Sequence, residues 1–141
     1  MKGIDGGNNK FFYATVLRIN GMDYFVPISS KSHNKQDDMP IKSKDKIKKE
    51  HATLRFAYMI PVPNCCLNML NISEINDYTR KERIRKELAF CRKRKDKIEK
   101  QAASIYQRII SKVSIELVHN SCDFKLLEEA YMQYSRENNL I

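Results

Sequence analysis

The chain has 141 residues, of which 42% are hydrophobic, and a formal net charge of +9, which predicts one domain over residues 1–141 with a modest core. It contains no apolar run of membrane-spanning length, and the N-terminus MKGIDGGNNK lacks the apolar segment of a secretory signal, so we expect a cytoplasmic protein that does not bind a membrane. Neither a P-loop nor a GxSxG nucleophile motif is present, which argues against nucleotide hydrolysis and esterase chemistry.

The N-terminal half predicts antiparallel strands. KFFYATVLRI, Lys10 to Ile19, is rich in β-branched and aromatic residues, and the following Asn20-Gly21 is a strong hairpin signal. MDYFVPI then predicts a returning strand that ends at Pro27. Residues 32–50 are polar and rich in lysine, which favours a long loop or a short irregular helix. TLRFAYMIPV predicts a third strand, and CCLNMLNI a short fourth one.

From about Ile75 the periodicity becomes helical. Lys95 interrupts the pattern and predicts a bend in a long helix, and a last helix is predicted from about Phe124 to Glu137, with Ser121 or Asp123 as its N-cap. The fold class is therefore α+β: a compact, strongly twisted antiparallel β-sheet packed with basic helices. The apolar stripe of the long helix consists of Ile84, Leu88, Cys91, Ile98, Ala102, Ile105 and Ile109.

Cysteine and histidine positions argue against a metal centre. The three histidines are scattered, and the cysteines have no metal-ligand spacing, so we expect no metal site. We expect reduced thiols in or near the core at Cys65, Cys66, Cys91 and Cys122.

The positive charge is concentrated in one segment. Between Arg80 and Lys112 there are thirteen Lys and Arg residues against four acidic ones, a surplus equal to the net charge of the whole chain. Such a concentration attracts a phosphate backbone, although a solvated helix face is the ordinary alternative. The segment therefore indicates nucleic-acid binding.

The stretch PISSK places two hydroxyls and an ammonium group at the predicted exit of the second strand. Ser29 and Ser30 could orient a phosphate by hydrogen bonds, and Lys31 could neutralise charge on its nonbridging oxygens while the 2′-hydroxyl of an RNA substrate attacks. That chemistry requires no metal ion and no cofactor. A polar strand end whose hydroxyl bonds a free backbone amide has the same composition, so these residues alone leave both interpretations open.

Four blocks in the same order carry a family resemblance: KFFYATVLRINGMDYFVPISSK, LRFAYMIPVPN, RKELAFCRKRKDKI and SCDFKLLEEAY. Over roughly residues 10–135 the chain resembles the endoribonuclease toxins of type III toxin-antitoxin systems, the ToxN and AbiQ family. The resemblance implies a core similar to that of the Kid and MazF toxins. It also implies sequence-preferring, metal-independent RNA cleavage that leaves 2′,3′-cyclic phosphate and 5′-hydroxyl ends.

The resemblance further implies RNA partners. The family's inhibitor is a repeat-derived RNA pseudoknot, which the toxin trims from a precursor and then holds in a closed protein-RNA assembly. We therefore expect a cognate antitoxin RNA as partner, and cellular or phage RNA as substrate.

The resemblance also implies site residues. PISSK matches the family's active-site stretch at Ser29, Ser30 and Lys31, but lacks a proline that usually precedes the lysine. Lys10 matches the lysine that enters the family's site. Phe90 lies off the apolar stripe, which favours a base-stacking role. The residues expected to bind RNA are Phe90, Arg92, Arg85, Lys86, Lys93, Arg94, Lys95 and Lys35.

The resemblance is incomplete at the N-terminus. Family members carry a further segment before the hairpin, including a tyrosine that lines the site, where this chain has MKGIDGGNN, and we expect residues 1–9 to be flexible or shortened. Two other functions stay open. One is a noncatalytic RNA-binding module that uses the basic 80–112 helix, and the other is a DNA-binding regulator with that helix in a major groove.

Overall fold

Seven strands between Lys2 and Met69 form one antiparallel sheet in the described part of the chain. The computed structural model describes residues 2–4, 10–29, 38–42, 50–112 and 115–140. Within these ranges the strand order is β4-β5-β3-β2-β1-β7, with β6 pairing separately with β3, and every pairing is antiparallel. The strands are β1 Lys2–Ile4, β2 Lys10–Ile19, β3 Met22–Ser29, β4 Met39–Lys42, β5 Glu50–Leu54, β6 Ile60–Pro61 and β7 Asn68–Met69.

The central hairpin is formed by β2 and β3. Asn20 and Gly21 have φ angles of 50° and 79°, the left-handed pair that a tight two-residue hairpin turn needs. β3 continues to Ser29, two residues beyond the predicted end at Pro27, because β5 pairs with its last two residues. The predicted hairpin is thus confirmed, and its second strand is longer than predicted.

Two predictions for the middle of the chain were wrong. Part of the expected loop or helix at 32–50 is strand β4 together with the first residue of β5. TLRFAYMIPV is not one strand, because a 3₁₀ turn at Phe56–Tyr58 separates β5 from β6. Phe56 and Ala57 are both buried, and a turn allows this for consecutive residues where a half-buried strand would direct them to opposite faces.

The edge strands were only partly predicted. β7 accounts for just two residues of the predicted fourth strand in CCLNMLNI, and it pairs with β1. β1 was not predicted; it lies between β7 and β2 and pairs with both. The sheet therefore extends beyond the first strand of the hairpin.

Four helices cover the sheet: α1 Tyr78–Lys93, α2 Lys95–Ile110, α3 Ile115–His119 and α4 Phe124–Glu137. α1 and α2 are separated only by Arg94, which confirms the predicted bend near Lys95, and every residue of the predicted apolar stripe is buried. α4 has the predicted bounds, and Asp123 is its cap, accepting a hydrogen bond from the Leu126 amide at 3.1 Å. α3 was not predicted. The α+β antiparallel fold class is confirmed.

A buried polar cluster attaches α4 to the sheet. The Tyr24 and Tyr106 hydroxyls donate hydrogen bonds to the same carboxylate oxygen of Glu128, at 2.5 and 2.7 Å. Lys125 Nζ lies 3.4 Å from the other oxygen, and the Phe124 ring stacks on Tyr106 with centroids 5.4 Å apart. This cluster joins β3, α2 and α4.

The cysteine prediction was half right. All four are free thiols; Cys91 is buried and Cys122 half-buried, but Cys65 and Cys66 are exposed. The exposed pair belongs to a 3₁₀ turn on the surface between β6 and β7. None of the helices described is both long enough and apolar enough to cross a bilayer.

Candidate active site

The open end of the β2–β3 hairpin brings together two of the predicted catalytic residues. β2 begins at Lys10 and β3 ends at Ser29, and the pairing of Phe11 with Ile28 places their backbones opposite each other when it is continued by one residue. Cα atoms of directly opposite residues in an antiparallel pair lie about 5 Å apart. Lys10 also pairs with Ile4 of β1, which holds its backbone in the sheet.

Two irregularities in β2 create this juxtaposition. The register shifts between Tyr13 and Thr15 and again between Thr15 and Leu17. With the register that follows directly from the turn, Lys10 would lie opposite Lys31 instead of Ser29. Because such shifts re-aim side chains at strand ends, the composition of this site depends on them.

β5 holds both ends of the segment that carries the other predicted catalytic residues. Ile28 and Met39 pair with the same residue, Leu54, on opposite sides of β5. Ser29 pairs with Thr53, which is fully buried although polar. The predicted site residues Ser30, Lys31 and Lys35 lie in the intervening segment, outside the described residues.

An ion pair strengthens this attachment. Arg55 Nε lies 3.0 Å from Asp38 Oδ2, and the Asp38 side chain is only 3% exposed. The Arg55 amide donates to the Pro27 carbonyl at 3.1 Å, so this residue contacts both the end of β3 and the start of β4. Sequence reasoning missed Asp38 and Arg55, because nothing local in the sequence pairs two residues from a predicted loop and a predicted strand.

Helix α1 lies beside this end of the sheet, packing on β5. The Arg80 guanidinium lies 5.0 Å from the ring centroid of Phe11, the second residue of β2. Phe90 is half-buried and therefore more exposed than the residues of the apolar stripe, as its position off that stripe predicted. The Arg94 guanidinium lies 4.0 Å from the centroid of the Phe90 ring. Arg80 was not among the predicted site residues.

The other predicted RNA-binding residues are exposed on α1 and the start of α2. Arg85 pairs with Glu82 at 2.9 Å and Lys95 with Glu99 at 3.1 Å, and such exposed pairs are weak because solvent and salt screen them. In the described part of the chain, no ion pair involves the exposed Lys86, Arg92 and Lys93.

The Cys91 thiol and the Tyr13 hydroxyl, near the candidate active site, both have raised pKa values. Burial raises the pKa of the Cys91 thiol to about 12, with the Glu87 carboxylate adding to the effect. Burial also raises the pKa of the Tyr13 hydroxyl, more than Arg92 and Lys95 lower it. Both groups are therefore neutral near pH 7, and neither provides an anionic nucleophile. No group of three or more His, Cys, Asp or Glu side chains in the described ranges could hold a metal ion.

Sequence comparison relates the chain to one family along most of its length. Residues 2–132 match the family described as toxin ToxN of type III toxin-antitoxin systems. The endoribonuclease ToxN of Pectobacterium atrosepticum is 24% identical over 137 residues, covering 92% of this chain and 78% of the relative. The endoribonuclease AbiQ of Lactococcus lactis subsp. lactis is 27% identical over 142 residues, covering 93% and 76%.

Solved structures share the fold. A type III toxin described as selectively inhibited by a non-coding RNA pseudoknot superposes with a TM-score of 0.78 at 26% identity, covering 93% of this chain and 83% of that one. The structure of AbiQ, described as a lactococcal anti-phage endoribonuclease, has the same fold with a TM-score of 0.77 at 24% identity and the same coverage.

Proposed function

This chain belongs to the ToxN toxin family of type III toxin-antitoxin systems and is an endoribonuclease, and we propose that it cuts RNA at the open end of the β2–β3 hairpin. The residues proposed to act there are Lys10, Ser29, Ser30 and Lys31, within one domain of residues 1–141. The observation that carries the proposal is the shifted hairpin register, which places the Lys10 backbone opposite Ser29, where the chain enters the Ser30-Lys31 segment.

The proposed reaction uses the substrate's own 2′-hydroxyl. Its oxygen forms a bond to the adjacent phosphorus while the bond from phosphorus to the 5′-oxygen breaks, leaving a 2′,3′-cyclic phosphate and a 5′-hydroxyl. A base takes the 2′ proton and an acid returns one to the leaving 5′-oxygen, and Lys31 and Ser30 are the candidates for these roles. The reaction involves no metal ion.

The remaining residues stabilise the transition state in this proposal. The Lys10 ammonium offsets charge on the phosphate, and Ser29 donates a hydrogen bond to it. Removing one preorganised donor of this type typically slows an enzyme by about 10²- to 10³-fold. Two or three such donors account for much of the rate of a ribonuclease.

We also propose the partners. The basic surface of α1 and α2 binds the substrate, which is cellular or phage RNA, and binds the cognate antitoxin RNA, a pseudoknot held in a closed protein-RNA assembly in the cytoplasm. Two findings support this: the related toxin is described as inhibited by an RNA pseudoknot, and the whole net charge of the chain resides in residues 80–112. The predicted similarity to the Kid and MazF core stays a prediction.

The test compares three proteins stripped of bound RNA and incubated with mixed cellular RNA in EDTA: wild type, Lys31→Ala, and Arg18→Ala as a matched loss of an exposed cation outside both the site and the basic surface of α1 and α2. We expect site-specific cuts with cyclic-phosphate ends from wild type and Arg18→Ala, and none from Lys31→Ala. Thermal melting of all three checks that they fold.

Three results would overturn the assignment. Equal cutting by Lys31→Ala would remove that lysine from the reaction. RNA binding without cutting by the wild type would favour the noncatalytic module, and equal affinity for duplex DNA at matched salt would favour the DNA-binding regulator.

A further inference from the structure

Two adjacent cysteines share one exposed turn of the chain. Cys65 and Cys66 belong to the 3₁₀ turn Asn64–Cys66, between β6 and β7, and both are exposed. Their Sγ atoms lie 3.8 Å apart, close to van der Waals contact. Since Cys91 is buried and Cys122 half-buried, this pair of thiols is the most accessible to reagents in solution.

A tyrosine on α4 gives the pair a hydrogen-bond partner. The Tyr134 hydroxyl lies 3.9 Å from Cys65 Sγ. Hydrogen bonding to Cys66 and Cys65 raises the pKa of Tyr134 to about 12, so the hydroxyl keeps its proton near pH 7 and is able to donate a hydrogen bond to sulfur. A donor of this kind stabilises the thiolate, which is the form of cysteine that attacks an oxidant.

The other two thiols have the opposite environment. Burial raises the pKa of Cys91 to about 12 and also raises the pKa of Cys122. Both thiols therefore stay protonated near pH 7, and a protonated thiol in apolar surroundings is a poor nucleophile. Oxidation should thus be selective for the surface pair.

A disulfide between the two sulfurs would place the turn under strain. Disulfides usually join residues whose Cα atoms are about 4.4 to 6.8 Å apart, whereas the Cα atoms of adjacent residues are about 3.8 Å apart. Strained and exposed disulfides are the ones that reductants reopen most easily. The reduced turn is held by backbone hydrogen bonds from the Cys66 amide to the Pro63 carbonyl at 2.9 Å and from the Leu67 amide to the Asn64 carbonyl at 3.1 Å.

Strain in this turn acts on the edge of the sheet. β7, Asn68–Met69, begins two residues after Cys66 and is one of the two shortest strands described. It is held in the sheet by its pairing with Lys2 and Gly3 of β1. A shift of the turn therefore affects a pairing with few hydrogen bonds to resist it.

We propose that Cys65 and Cys66 are a redox modification site, which peroxides oxidise reversibly to a disulfide, and that this disulfide loosens β7 from β1. The site does not rest on the proposed cleavage of RNA. In a reducing compartment, transient disulfides of this kind act as redox sensors.

The oxidation has two steps, written for hydrogen peroxide. One thiolate attacks a peroxide oxygen, the O–O bond breaks, and water leaves once the departing hydroxide takes up the proton that the thiol released, which gives a sulfenic acid. The neighbouring thiol then attacks the sulfenic sulfur, forming the S–S bond and releasing a second water. The two electrons lost by the sulfurs reduce the peroxide, and a dithiol reductant reverses the change.

The test treats the full chain with a small molar excess of hydrogen peroxide, blocks free thiols with N-ethylmaleimide and digests the protein with trypsin. No Lys or Arg lies between Arg55 and Arg80, so the peptide of residues 56–80 contains this pair but neither Cys91 nor Cys122. We expect this peptide to lose the mass of two hydrogens and to bind no maleimide. With dithiothreitol before blocking, it should bind maleimide at both cysteines. Oxidised methionine gains the mass of oxygen and is thereby distinguished.

Two variants serve as controls. Cys66→Ser leaves Cys65 without a partner, and we expect its peptide to gain oxygen instead of losing two hydrogens. Tyr134→Phe keeps both thiols but removes the hydroxyl beside Cys65, and it should slow disulfide formation by about threefold, because less thiolate is present. Melting temperatures verify that both variants fold.

Hydrogen exchange followed by mass spectrometry measures the effect on the sheet. The amides of β7 and β1 should exchange at least about threefold faster in the oxidised protein and return to the original rate after reduction, while those of α1 and α2 stay unchanged.

Three results would overturn the proposal. A peptide that keeps both free thiols in peroxide, or oxidation that links two chains on a non-reducing gel instead, would exclude the modification site. Unchanged exchange at β7 in fully oxidised protein would exclude the loosening. Because none of these measurements uses RNA, a failure here is distinct from a failure of the proposed function.

Discussion

The two ends of strand β3 differ in what their side chains do. At the turn end, Tyr24 is fully buried and its hydroxyl is bonded to Glu128 of α4. At the open end, Ser29 is half-buried opposite the Lys10 backbone, and the chain leaves the sheet there. One end of the strand therefore fixes the helices on the sheet, while the other is the end at which we propose that groups contact the substrate.

The largest expected effect comes from removing the basic side chain at the open end of β2, compared with removing the one at its turn end. Lys10→Ala should slow single-turnover RNA cleavage by about 10²- to 10³-fold with little change in melting temperature, because it removes a charge-stabilising donor. Arg18→Ala, at the turn end, removes an arginine that is 68% exposed and paired with Asp23, and should leave cleavage within about twofold. Similar losses of cleavage rate in the two variants would show that the open end has no special role in cleavage.

At the turn end, by contrast, we expect a substitution to lower stability without changing the rate of cleavage. Glu128→Ala removes the acceptor of two buried hydroxyls and should lower the free energy of unfolding by about 3 kcal/mol, measured by urea denaturation. The exposed neighbour Glu129→Ala should change it by less than about 0.5 kcal/mol. Cleavage at a temperature where Glu128→Ala is folded should match wild type. A large loss of rate there would show that the two ends are not separable.

A pH dependence should follow from the same cluster. Burial, followed by the hydrogen bond to Glu128, raises the pKa of Tyr24 far above its usual value near 10, and burial likewise raises that of Tyr106. The folded state therefore favours the protonated hydroxyls, so this stability is fully present below about pH 10 and is lost as pH rises beyond it.

Tyr24→Phe tests this assignment. It should cost about 2 kcal/mol at pH 7, since a hydrogen bond to a charged acceptor is lost, and should make the decline above pH 10 shallower. Urea denaturation at pH 7 and at pH 10.5 measures both effects. An unchanged decline would exclude Tyr24 as its source.

A smaller effect is expected beneath α1. Burial raises the pKa of Glu87, so ionisation opposes folding, and the stability of the neutral form is lost as pH rises through the folded pKa. Glu87→Gln should unfold like wild type at pH 4 and be more stable at pH 7 by less than about 1 kcal/mol. Glu82→Gln, which loses only the ion pair to Arg85, should show no gain at pH 7.

Local signals account for what the sequence predicted. Asn20-Gly21 has the left-handed φ angles that made it a turn signal, and the apolar stripe of α1 and α2 is buried throughout. The break at Arg94 follows from the interruption at Lys95. Elements whose boundaries depend on neighbouring residues alone were therefore recognised.

Features that depend on distant partners were not recognised. The 3₁₀ turn Phe56–Tyr58 packs against α2, and the Arg55–Asp38 pair and the Tyr24–Glu128 bond join residues with no sequence relationship. The candidate site combines a feature that was predicted with one that was not. The family resemblance predicted its residues, but the register shifts that place the Lys10 backbone opposite Ser29 leave no signal in the sequence.

The most direct test of the account is a double-mutant cycle between Lys10→Ala and Ser29→Ala in single-turnover cleavage of RNA. If both residues act on one phosphate at the open end of the hairpin, each single variant should be slower than wild type, and the double variant should lose less than the product of the two single losses, because the two groups stabilise the same charge. Rate losses that multiply in the double variant, or single variants that cut as fast as wild type, would contradict the placement of the active site at this end of the sheet.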